Sequence, residues 1–393
     1  MKICFTDSQY RKNLLPFTFT RPTAEIRVGI FTIREKWERF FPNASFSYQT
    51  ESYLQKLFPS IKDNENQIII NGSVIPTATL AEAIQQLKPN EIIVDNEEEI
   101  LAYYTSAENT KPTEFRKISI SNCRKIKHKH HIYLFNSEEI QNDFRLITAG
   151  RNSYPLSSTC QLIGDPTHLF IEEGAKVECC NLNCSNGFIY IGKDAEIMEG
   201  SSLRGNIAIM EHAQVKMGTR IYDGTTIGPH CRVGGEVSNI VMFAYSNKGH
   251  DGFLGNSVIG EWCNLGAGTN ASNLKNNYGN IRQYNYATQT YDDTGLQFCG
   301  IMMGDHTKCG IGTHLNTATV IGIASQLFGT ELHSNFIPSF SFGNSNRGYT
   351  TLSFDKIIES EKTMMTRRNH PFSETYCELL RTLYQLGNSC IKY

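Results

Sequence analysis

The sequence predicts an α/β domain with a mostly parallel sheet over residues 1–150, a triangular parallel β-helix over 151–350, and a helical tail over 351–393. Three observations carry this. Short β-rich runs alternate with helical spacing in the first third of the chain. Apolar side chains then recur at every sixth position, and amphipathic helical patterns close the sequence.

The first domain is read from "KICFTD", "QIIINGSVI", "EIIVDN" and "EILAYYT" as strands, the last two around an acidic turn. "GIFTIREKWERFF" and "TATLAEAIQQL" have helical spacing, the second with Thr77 or Thr79 as its N-cap. Past "FRLITAGRNSYP" the period changes to six. Ile191, Ile197, Leu203, Ile209, Val215, Ile221, Ile227 and Val233 keep one register, and Ile259, Leu265, Met303, Cys309, Leu315, Ile321 and Leu327 follow. Glycine often stands directly after the apolar position, as at Gly192, Gly228, Gly234, Gly266 and Gly310. Neither a helix nor an ordinary strand has this period. A hexapeptide coil does: three six-residue units close one turn, and the sixth-position aliphatics stack inside. Function is then expected where the register breaks, at about 234–258 and in the polar stretch "TNASNLKNNYGNIRQYNYATQTYDDTGLQ". "FDKIIESEKTMM" and "FSETYCELLRTLYQL" are the amphipathic helices of the tail.

Composition narrows the function classes. With 37 Lys and Arg against 39 Asp and Glu, the chain lacks the field that nucleic-acid binding needs. No apolar run is long enough for a membrane span and "MKICFTDSQYRKN" is too polar for a signal peptide, so a cytoplasmic protein is expected. The twelve cysteines are diluted over a long chain and read as reduced thiols. Their one cluster, Cys179, Cys180 and Cys184, has no second pair at zinc spacing, so no metal is assigned. "RKIKHKHHIYLF" places His128 and His130 on one face of a strand, where a solvated strand edge is more ordinary than a metal pair.

"NKGHDGFLGNSVIGEWCNLGAGTNASN" resembles the active-site segment of the bifunctional N-acetylglucosamine-1-phosphate uridylyltransferase / glucosamine-1-phosphate N-acetyltransferase family, and the whole chain resembles its Bacteroidetes-type variant branch. The resemblance implies a left-handed β-helix, a homotrimer, and transfer of an acetyl group from acetyl-CoA to an amino sugar 1-phosphate. Through it, His250 matches the catalytic histidine, with Asn264 and Ala267 near the acetyl group. Arg220, Lys248, Phe253 and Asn273 fall at the sugar-phosphate end, and Gly310 and Gly329 at the coenzyme. The residue types suit the chemistry. An amine must lose a proton to attack a thioester, and imidazole takes protons near neutral pH. Backbone N–H groups in "NLGAGT" suit an oxyanion, and an arginine fork suits phosphate. The family's tyrosine, lysine and tyrosine are here Phe253, Ser238 and Leu274, which implies a different acceptor in detail.

"RKNLLPFTFTRPTAEIRVG" resembles the nucleotidyltransferase signature of a truncated domain, with Arg11, Arg21 and Arg27 as phosphate-binding candidates for a nucleoside triphosphate. The glycine-rich loop is missing, since "TDSQY" has no glycine, and Ser73 replaces the aspartate that would bind Mg²⁺. Two rivals remain open: a nucleotidyltransferase whose β-helix only oligomerises it, and a non-catalytic scaffold.

Overall fold

The computed structural model describes residues 1–60, 66–105 and 115–390 of the chain. The first unit is a six-stranded mixed sheet. Lys2–Thr6 lies parallel to both Ser45–Gln49 and Gln67–Asn71. Ile100–Thr105 then runs antiparallel to Gln67–Asn71 and Glu91–Val94, and Arg116–Ser119 closes the far edge in parallel. Helix α1 (Ile33–Phe40) starts on a capping box between Thr32 and Glu35, and α2 (Ala78–Gln85) on Thr77, whose hydroxyl accepts from the Leu80 N–H.

A third helix, α3 (His131–Thr148), stands where the histidine-rich stretch predicted a strand edge. Its buried stripe is Ile132, Asn136, Ile140 and Phe144. The polar Asn136 interrupts the apolar period that would have marked it. That side chain is buried because all its groups are matched: it donates to Gly224 O (2.7 Å) and Thr226 Oγ1 (3.0 Å), and accepts from Gly29 N–H (2.7 Å).

From Gln161 to Asn344 the chain winds a parallel β-helix with three faces. Successive coils pair eighteen residues apart, as Ile189 with Ile207 and Ile207 with Thr225, which is three hexads per turn. Every sixth-position aliphatic named above is buried, and these residues share one continuous core running the length of the coil. Each such side chain contributes roughly 1.5–3 kcal/mol by leaving water. Cys180, Cys184, Cys231, Cys263 and Cys309 sit in that core, and burial raises their thiol pKa values.

The two predicted interruptions differ. Residues 234–258 are not thrown out of the coil. They form shortened coils, with Arg232 paired to Asn247 fifteen residues on and Asn247 to Asn264 seventeen on. Glu236–Met242 and Phe253–Ile259 each bend round a corner, at Asn239 and Asn256, both in the left-handed region (φ 53° and 47°). The second is a true excursion: Asn264 pairs with Lys308, forty-four residues on, and the excess forms an outlying segment with the hairpin Arg282–Asn285/Thr290–Asp293.

The α/β unit is plastered onto one coil face. Phe17, Trp37, Tyr133 and the sheet share a second core with Val241, Phe243, Val258, Met302 and Val320 of the coil. At this seam, the Arg21 guanidinium meets Asp305 (2.7 and 3.2 Å) and Glu261 (3.3 Å). Asp305 is fully buried and also accepts from Thr20 Oγ1. Helix α4 (Phe354–Thr366) docks on the coil through Glu361, which holds both His306 and Lys308, while His306 Nε2 meets Tyr376 OH (2.6 Å) on α5 (Glu374–Cys390). Asp305→Ala removes the closest carboxylate and leaves Arg21 with Glu261 alone, so equilibrium denaturation should show a loss of about 1.5–3 kcal/mol, the usual size for a hydrogen bond to a charged group.

Candidate active site

His250 lies on a corner of the coil, exposed, and its side chain has no hydrogen-bond partner among the described residues. Its backbone is held tightly. Lys248 occupies a position that is apolar in the neighbouring coils of this face (Val215, Val233, Leu265, Cys309 and Leu327 in register). It is 2% exposed, and its ammonium donates to Gly234 O (2.8 Å) and His250 O (2.7 Å). Burial pushes its pKa down to about 8, against the opposing pull of Asp251. Lys248 is thus a tie beneath the histidine turn, with its Nζ turned into protein rather than toward a ligand.

The corner below is also special. Four residues turn the corners at 216–219, 249–252, 266–269 and 310–313, but only Gly234 and Gly235 turn the one under His250. Glycine is required there. Gly235 has φ 75°, and an added Cβ would fall 2.8 Å from Gly252 O; one on Gly234 would fall 2.6 Å from Gly249 O.

Beside the histidine runs a strip with no side chains. The residue after each inward position on this face is Lys216, Gly234, Gly249, Gly266, Gly310 and Phe328 in successive coils. Gly249, Gly266 and Gly310 are half-exposed, so bare backbone forms a shallow trough. Asn247 and Asn264 line one rim, joined by a 2.8 Å hydrogen bond from Asn247 Nδ2 to Asn264 Oδ1. The other rim is the corner itself, with His250, half-exposed Ala267 and then Ile311, which is 80% exposed. Gly329 turns the next coil with φ 107°.

The sugar-phosphate candidates are more dispersed. Arg220, Glu236 and Phe253 stack in register on the adjacent face, and Arg220 Nε meets Glu236 Oε2 at 3.3 Å. Arg220 is therefore two coils from Phe253, with a carboxylate between them. Asn273 donates to Asn256 Oδ1 (2.8 Å) at a different corner and extends an asparagine stack, apart from His250.

The N-terminal candidates are engaged inside the protein. Arg11 holds Asp7 (2.8 Å) and Tyr53 OH (3.0 Å), Arg21 crosses the seam to Asp305, and Arg27 donates to Ile30 O beside Glu35 (3.6 Å). Ser73 is fully buried and its hydroxyl donates to Asn71 Oδ1 (2.8 Å). These residues do not fit Mg²⁺ at the position the resemblance implied: a hydroxyl already turned to a neighbouring amide supplies no carboxylate ligand. Among the described residues, Asp95, Glu97 and Glu99 do bring three carboxylate oxygens within 4.8 Å, but Lys125 Nζ already bonds Asp95 and Glu99. The rings of His128, His130 and His131 cluster 5.0–5.2 Å apart at the foot of α3, facing Asn285 and Asp292 of the excursion across a cavity of about 230 Å³.

Residues 2–152 match the family model for sugar nucleotidyl transferases, so the first part of the chain is similar to those proteins. A curated relative, the bifunctional protein GlmU of Nostoc sp. strain PCC 7120, is 28% identical over 140 residues, 32% of this chain. The chain spans about a quarter (26%) of that relative's length. Solved structures include the Arabidopsis UDP-N-acetylglucosamine acyltransferase (14% identity, 59% of this chain and 90% of that one, TM-score 0.25). The Campylobacter jejuni counterpart is 13% identical, covering 58% of this chain and 95% of its own, with a TM-score of 0.21. The β-helix itself is established by the strand pairing above.

Sequence reading missed the trough because Lys248 hides the hexad there, so Gly249 did not register with Gly234, Gly266 and Gly310. Gly235→Ala should cost roughly 1–3 kcal/mol, the usual size of left-handed backbone strain, and raise amide exchange at residues 249–252. The histidine cluster should respond to acid. Burial and neighbouring cations lower His130 to about 3 and His131 to about 4, from the ordinary 6.5. The folded chain keeps these rings neutral while the unfolded chain binds protons. Their contribution is complete above pH 6.5 and is lost as pH falls toward 4 and 3. Urea midpoints should drop across that window, and His130→Gln should flatten the drop.

Proposed function

We propose that this chain is an acyltransferase that moves an acetyl group from acetyl-CoA to the amine of an amino sugar 1-phosphate, with His250 as general base. The observation that carries the reading is an unpaired, exposed imidazole on a rigid corner beside a trough of bare backbone. A thioester on a narrow flexible arm fits such a strip, since no side chain has to move. The imidazole takes the proton from the attacking ammonium as the amine adds to the carbonyl carbon. The flanking N–H groups of Gly266, Gly268 and Thr269 already donate within the coil, so the Ala267 N–H and Asn264 Nδ2 are the donors available to the oxyanion, and the thiolate leaves as the C–S bond breaks. Phe253 and Arg220 would face the sugar and its phosphate, with Arg220 exchanging Glu236 for phosphate.

The exposed apolar residues on this edge, Ile311 and Met217 (80% and 70% exposed), support assembly with further copies, and a homotrimer is the state we infer. Nucleotidyl transfer by the first domain is a second reading, favoured by the family match over residues 2–152. Ser73 and the engaged arginines weigh against it. Pyrophosphate release from a nucleoside triphosphate and a sugar 1-phosphate would establish it.

His250→Ala should fold and assemble as the parent does, yet lose about 10²–10⁴-fold in thiol release from acetyl-CoA with amino sugar phosphates. Retained turnover removes His250 from the mechanism.

A further inference from the structure

Helix α4 leaves a cleft of about 670 Å³ against the trough-bearing coil face, and its walls are basic. Arg232 of the coil and Lys356, Arg367 and Arg368 of the tail line it, with Asn247, Asn264 and Tyr245 between them. Lys216 lies at its margin, close enough to Arg232 and Arg368 for their charges to lower its pKa after burial does, against the opposing pull of Glu196. Among the described residues none of these five cations has an ion-pair partner, and one carboxylate, Glu359, lines the wall. Arg232 Nε is buried with no hydrogen-bond partner at all. Arg368 reaches only a carbonyl, His230 O at 3.5 Å. Burial lowers its pKa first, and Arg232 lowers it further.

Like charges converging on a half-buried arginine whose Nε is desolvated and unpartnered are unfavourable unless an anion completes them. The cleft is also well built. Glu361 fastens α4 to His306 and Lys308, and beyond α4 His370 packs edge-on against Tyr245 and Trp262 (5.3 and 5.2 Å). The helix that carries the tail cations is therefore fixed against the coil face.

We propose that this cleft binds a ligand bearing two or more phosphate groups, with Arg232 and Arg368 as the inner contacts and Lys356 and Arg367 as the outer ones. The site stands whether or not His250 acts as a base. Two sources share this chemistry, the phosphates of a coenzyme whose arm enters the trough, and a free nucleotide.

Titration calorimetry of the full chain with inorganic pyrophosphate tests it. One saturable site is expected, weakening with salt, with roughly tenfold weaker binding in Arg232→Gln and in Arg368→Gln, the usual loss for a charge-assisted hydrogen bond. Lys356→Gln, on an exposed side chain that the fold does not need, should also weaken it, while Lys362→Gln, whose ammonium lies over Phe372, should not. Displacement of pyrophosphate by coenzyme A but not by a nucleoside triphosphate assigns the coenzyme, and the reverse assigns the nucleotide. Absence of saturable binding to the parent chain, or binding indifferent to all three cleft substitutions, overturns the proposal. Because no acyl transfer is measured, a negative result here is separate from failure of His250→Ala.

Discussion

One inward side chain per hexad, stacked coil upon coil, is the constraint on which everything else in this molecule hangs. The aliphatic column fixes the register of every face, and the register decides which residues meet at each corner. Corners between faces turn through left-handed backbone even where the residue is not glycine, as at His212, His230, Tyr245, Trp262 and His306 (φ 55–62°). That strain is tolerated because the coils above and below repeat it. The rings at these corners stack 4.2–4.7 Å apart from His212 to Trp262, so each strained residue supports the next.

Lys248 is the one charged residue in the inward slots of its face, and that charge explains the histidine turn. An ammonium in an aliphatic column is costly, and it persists here because two carbonyls, Gly234 O and His250 O, receive it. An aliphatic residue would fill the space but would release the turn. Rigidity at His250 therefore comes from a polar group placed where the repeat calls for an apolar one. The two-residue corner at Gly234 and Gly235 acts in the same sense, bringing backbone directly beneath the turn.

Much of the coil was legible in the sequence because its period is strict and its core is made of one residue class. Ile191 through Val233 could be placed on inward positions from spacing alone, and the buried core bears this out. The polar stretch after Thr269 read as an excursion for the same reason, since no hexad runs through it. What could not be read were features that depend on pairing across long separations. Asn136 made α3 invisible because its partners, Gly29, Gly224 and Thr226, lie about ninety or more residues from it in sequence. The segment 234–258 looked like a loop because shortening a coil by one to three residues breaks the hexad as thoroughly as an insertion does. The basic cleft joins Arg232 to Arg368, and no local pattern connects them.

Arginine identity says little about phosphate until its partners are known, and this chain shows both cases. Arg21 falls on a position that resembles a phosphate-binding motif, yet Asp305 and Glu261 already neutralise it at the seam. Were it to turn toward a phosphate, Asp305 would be left buried with only the Thr20 hydroxyl and the Glu261 N–H, and the seam between the α/β unit and the coil would lose its one ion-paired anchor among the described residues. Binding energy from a new phosphate would have to exceed that loss. Arg232 is under the opposite constraint: no carboxylate competes for it, its Nε is already desolvated, and an incoming anion relieves repulsion instead of breaking a pair. The physical difference between the two sites is the charge balance before any ligand arrives. It favours the coil face over the N-terminal sheet as the place where this protein meets phosphate.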